Sequence, residues 1–150
     1  MSKVGRYSAD RKKIEEVSES KSVTVADCGT IFMLASGSED YPLTLPSVTD
    51  AGNGWWAKFV LKTTDASNTD NVIIAQNGED TADIVNVTVG AFGDVTESTG
   101  DLPAQIAADG VSFDISACKA GDTCELFTNG TQWYGQAIAS GSLAILKHDA

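Results

Sequence analysis

From Ser22 onward, apolar and polar residues alternate with period two for most of the chain. Successive side chains of a strand point to opposite faces, so this alternation predicts half-buried strands rather than helices. The pattern predicts strands over Ser22–Ala26, Thr30–Ala35, Tyr41–Leu45, Trp55–Thr63, Asn71–Gln76, Ala82–Val89, Val111–Ala117 and Ser142–Lys147. Pro42 places the third of these at a sheet edge or a strand start, because proline cannot donate to a ladder. The strongest local signal is Ala120–Gly135. Cys124, Leu126 and Thr128 share one face there, and Glu125 and Phe127 the other. Asn129-Gly130 predicts a type I′ turn, with Trp133 and Tyr134 on the returning strand.

About ten short strands separated by turns predict an all-β fold, an antiparallel β-sandwich that is jelly-roll-like or a partly closed barrel. Two stretches break the pattern. Gly90–Gly110 is acidic with little periodicity and reads as a long loop, of the kind that is usually functional or mobile. Ser2–Ser20 is polar and charged. Within it Asp10–Val17 has the makings of a short helix, with Asp10 as N-cap and Lys12–Glu16 as an i,i+4 pair. Only Ile14 and Val17 give that helix an apolar face, so alone it is marginal. Residues 1–21 are therefore expected to be an extended or short-helical arm that orders against a neighbour, and residues 22–150 one β-sandwich domain.

Charge sharpens this division. The formal net charge is −11 over 150 residues, with ten Lys and Arg against 21 Asp and Glu. Six of the basic residues (Lys3, Arg6, Arg11, Lys12, Lys13 and Lys21) fall in the first stretch. The acidic body disfavours nucleic acid, which needs Lys and Arg on its phosphates, and anionic membranes. No apolar run approaches the ~20 residues that span a bilayer. Met1-Ser2-Lys3 leads into polar sequence, so no secretory leader is expected. Three cysteines, an odd count without Cys-x-x-Cys, argue against a disulfide scaffold. Cys118 and Cys124 flank a turn across which a bridge is conceivable; three thiols in a reducing cytoplasm is the preferred reading.

Catalytic chemistry finds little purchase. The single histidine, His148, lies two residues from the end, reads as solvated tail and leaves no base for a nucleophile. Ser36-Gly37-Ser38 reads as a loop rather than a nucleophile elbow. No zinc set and no phosphate-binding glycine fingerprint is present. Glu79, Asp80 and Asp83, or Asp94, Glu97 and Asp101, have the oxygen chemistry for calcium, yet without EF-hand spacing they read as solvated loops. Paired carboxylates for glycoside hydrolysis have weaker support still. The chain is expected to be no enzyme and to need no cofactor. Asn86-Val87-Thr88 and Asn129-Gly130-Thr131 match the glycosylation pattern but read as a strand and a turn. Trp55, Trp56, Trp133 and Tyr134 have the shape to stack on sugar rings; core and interface packing is the preferred reading. In Trp55-Trp56 one ring is expected in the core and the other at a subunit contact.

The residues Thr44-Leu45-Pro46, Ala51-Gly52, Trp55–Val60, Gly121-Asp122, Leu126 and Asn129–Tyr134 together resemble a module of tailed-phage virion proteins, over about Val23 to Gly135. That module occurs in head decoration (cement) proteins and at the tips of tail fibres and spikes. This chain is nearly all module, without a shaft, which favours the decoration class. The resemblance implies a homotrimer on the capsid exterior, made in the bacterial host cytoplasm, with the major capsid protein as partner. It would stabilise the shell by bridging capsid subunits. On that expectation Arg6, Tyr7, Arg11, Lys12, Lys13 and Ile14 anchor the arm, and Trp55 and Trp56 are the further partner-binding candidates. The alternative is a receptor- or glycan-binding module of a tail fibre or spike.

Overall fold

The computed structural model describes residues 11–63, 70–76, 85–91, 104–141 and 144–149. The fold is all-β. One sheet has seven strands. Its spatial order runs from β1 (Lys13–Val17) through β3 (Thr30–Leu34), β5 (Trp56–Leu61), β10 (Thr123–Thr128), β11 (Trp133–Ala139) and β7 (Val85–Ala91) to β8 (Ala104–Ala108). The other has five, ordered β12 (Ile145–His148), β9 (Gly110–Asp114), β6 (Asn71–Ala75), β4 (Tyr41–Thr44) and β2 (Lys21–Ser22).

Each sheet turns one face inward, and the two inner faces fuse into a single core. Phe32, Leu34, Phe59, Leu61, Leu126 and Trp133 come from the larger sheet. Leu43, Val72, Ile74, Val111 and Phe113 come from the smaller. Phe32 stacks on Phe59 with ring centroids 5.4 Å apart, and Trp55 meets Trp133 edge to face at 5.3 Å. Burying such side chains is the main driving force for a two-layer fold. Tyr41 ties the layers at one side: its hydroxyl donates to the Ala35 carbonyl at 2.5 Å, and burial pushes the phenol up to about 12.

The sheets are mixed, which corrects the antiparallel expectation. β1–β3, β3–β5, β11–β7, β2–β4 and β4–β6 pair parallel, and the remaining neighbours antiparallel. Pro42 fits as expected. β2 pairs only with Leu43 and Thr44, so Pro42 has a neighbouring strand on one side alone.

Four further expectations change. The helix over Asp10–Val17 does not form across its described part; Lys13–Val17 is a strand, because ladder bonds to β3 outweigh a marginal helix. Lys13–Ser22 thus belongs to the sheets, with β1 on one and β2 on the other. The strand expected at Ser22–Ala26 stops at Ser22, and Val25–Asp27 is a 3₁₀ turn. Asn129-Gly130 is not a two-residue turn: Thr128 pairs with Trp133, leaving a four-residue loop. The Asn129 carboxamide oxygen accepts from Thr131 N–H, Gln132 N–H and the Thr131 hydroxyl, which fixes that loop. Finally, the segment Gly90–Gly110 includes the end of β7, all of β8 and the first residue of β9. The carboxylates Glu79, Asp80, Asp83, Asp94, Glu97 and Asp101 lie outside the described residues, as do Arg6 and Tyr7.

Candidate functional site: the outer face of the larger sheet

Strand alternation that sends Phe59 and Leu126 inward sends their neighbours outward, and cross-strand register then sorts these into rows. One row runs Trp56, Phe127, Tyr134, Asn86 across β5, β10, β11 and β7. A second runs Ile14, Ile31, Lys58, Glu125, Gln136, Thr88 from β1 to β7. A third runs Glu16, Met33, Val60, Thr123, Ile138. Ile14 is 63% exposed, Phe127 49% and Ile138 43%. These three stand on the same open sheet face, on β1, β10 and β11.

The β1 end of this face gathers residues singled out from the sequence. The Lys12 ammonium sits 5.8 Å from the Trp56 ring centroid, a cation–π geometry, and exposed Ile14 stands beside half-buried Ile31. Arg11 is exposed. Lys13 points the other way, to the Asp27 carboxylate at 3.0 Å. Asp27 also accepts from the Thr24 N–H at 2.8 Å and the Thr24 hydroxyl at 2.9 Å. Burial opposes the charge on Asp27. The Thr24 N–H, Lys13 and the Thr24 hydroxyl together outweigh it, holding the carboxyl below its ordinary value. Lys21 is held above its ordinary value, first by its hydrogen bond to Glu15 at 2.8 Å, against some desolvation. Lys62 pairs with Glu16 at 2.7 Å. These ties fix β1 in place and leave Lys12 and Ile14 outward.

Trp55-Trp56 splits as the alternation requires. Trp55 is 3% exposed, and its indole N–H donates to the Val25 carbonyl at 3.0 Å. That places Trp55, one of the two tryptophan contact candidates, in the core and off the outer face. Trp56 is half-buried on the outer face, where Gly29 packs against it.

The centre of the face is a groove of about 510 Å³. Lys58, Glu125, Gln136 and Thr88 run across it, and Phe127 and Tyr134 stack at one side with centroids 6.0 Å apart. The sequence alternation puts Glu125 and Phe127 on one face of the strand, and the structure makes that face the outer one. The convergence of β5, β7, β10 and β11 was not in the local pattern.

Reactive chemistry lies elsewhere. Cys28, Cys118 and Cys124 are free thiols. Cys28 is exposed; burial pushes Cys124 up to about 12, and burial, with Asp122 and Asp114 nearby, raises Cys118 above its ordinary value. Among the described residues no group of three His, Cys, Asp or Glu side chains could hold a metal, and no helix is long and apolar enough to cross a membrane. His148 is paired into β12 rather than a solvated tail. Compared with known proteins, the chain matches no family model, no curated protein and no solved structure.

Proposed function

We propose that this chain is a tailed-phage head decoration protein that docks on the major capsid protein through the β1 end of the outer sheet face. The carrying observation is the patch of Lys12, Ile14 and Trp56. Exposed Ile14 and the cation-capped Trp56 lie on the same outer face, on β1 and β5 with β3 between them, on a chain whose net charge is −11. Burying Ile14 and the rest of Trp56 against a partner supplies apolar contact, and Arg11 and Lys12 suit an acidic rim. The work is mechanical. A ligand that binds only the assembled shell at 100 times its Kd adds about 2.7 kcal/mol to shell stability. The resemblance adds that the unit on the capsid exterior is a homotrimer, which cyclic symmetry makes economical.

The test is cosedimentation of purified protein with heads that lack it. Ile14→Glu places a charge in the buried contact, and at least about tenfold weaker binding is expected, which is 1.4 kcal/mol. Unchanged occupancy for Ile14→Glu and Lys12→Glu refutes the docking surface. The second reading is a receptor-binding module of a tail fibre or spike, favoured by the open Phe127–Tyr134 pair. Binding to host cells, with none to heads, selects it over the first.

A further inference from the structure

We infer that the groove at the centre of the outer face is a binding site for a neutral oligosaccharide, built from the Lys58–Glu125–Gln136–Thr88 row and the Phe127–Tyr134 ring pair. The assignment shares the Phe127–Tyr134 pair with the receptor-module reading above and is independent of the docking surface at β1.

Three features point to this ligand class. The volume of about 510 Å³ lies within the range of small-ligand sites. The four row residues sit on adjacent strands, about 4.8 Å apart, so they span roughly 14 Å, the length of two to three sugar rings. Among the described residues none of the four side chains makes a hydrogen bond or ion pair. Together they offer an ammonium, a carboxylate, an amide and a hydroxyl. That mixture of donors and acceptors matches hydroxyl groups, each of which both donates and accepts. Phe127, 49% exposed, presents a ring for the apolar face of a sugar.

Other classes fit less well. An anion meets Glu125 with one lysine to answer it, and a lipid chain meets a polar floor. A peptide strand finds no free edge, since β5, β10, β11 and β7 are all paired on both sides.

The test is an amide NMR titration with cellotriose, maltotriose, chitotriose and mannotriose. Saturable shifts confined to β5, β7, β10 and β11 for at least one sugar are expected. Phe127→Ala is expected to weaken that binding at least about tenfold and Gln136→Ala severalfold. Ile14→Ala, at the far end of the same face, is expected to leave it unchanged. Phe127 is exposed, and an unaltered spectrum outside the groove establishes that its variant is folded. The inference is overturned if no sugar gives saturable shifts, if shifts fall elsewhere, or if Phe127→Ala binds like the parent. It is overturned equally if the same amides broaden with protein concentration alone, which would make the groove a contact between copies.

Discussion

Asp27→Asn tests how β1 is held, and with it the placement of Lys12 and Ile14. In the parent, one carboxylate oxygen accepts both the N–H and the hydroxyl of Thr24, and the other accepts Lys13. Asparagine keeps one acceptor and turns a donor toward the groups facing the other. A hydrogen bond to a charged group contributes about 1.5–3 kcal/mol and a neutral one about 0.5–1.5, so the Thr24 bond loses about 1 kcal/mol. The Lys13 side chain is 56% exposed, which limits its pair to about 0.5 kcal/mol. With the amide facing a donor, the total is about 2 kcal/mol. In urea, with a slope of about 2 kcal/mol per molar, the midpoint falls by about 1 M. Acid supplies the sign. The folded carboxyl is held below its ordinary value, so its stabilisation is complete above the unfolded value of about 3.9. It is lost as pH falls through the folded value. The gap between parent and variant is therefore constant near neutrality and closes in acid. Tryptophan fluorescence across a series of pH values measures it. A gap that persists unchanged through the whole acid range in which the protein stays folded, or one under about 0.5 kcal/mol at neutrality, refutes the reasoning.

Two glycines make a paired test. At Gly135 a Cβ would lie 2.1 Å from the Glu125 carbonyl oxygen, whereas Gly121 has open space but φ of 99°. Gly135→Ala is expected to cost several kcal/mol or abolish folding, and Gly121→Ala about 1 kcal/mol, by urea denaturation. Brief iodoacetamide treatment of the native protein is expected to give one adduct by mass spectrometry, at Cys28, and three after denaturation. Native labelling of Cys118 or Cys124 would contradict their burial.

How legible the chain was depended on distance in sequence. Thr123–Thr128 read correctly because its alternation is local: Cys124, Leu126 and Thr128 are buried, and Glu125 and Phe127 exposed. Trp55-Trp56 divided between the faces for the same reason. The strand at Lys13–Val17 was hidden because its partner, β3, lies beyond a sheet change and a 3₁₀ turn. Ser22–Ala26 misled because Asp27 captures the Thr24 N–H and curls the chain. β8 is alanine-rich, of low strand propensity, and forms through its pairing with β7. The groove row joins Lys58, Thr88, Glu125 and Gln136, which come from separate strands and meet only through the mixed register.

The central claim is that the β1 end of the larger sheet's outer face is a docking surface for a phage head. Cryo-electron microscopy of heads lacking the protein, after incubation with it, tests this most directly. The expected result is density on the capsid exterior with Ile14 and Trp56 turned toward the capsid protein. Bare heads at saturating protein, or density with that face turned to solvent, would contradict the account.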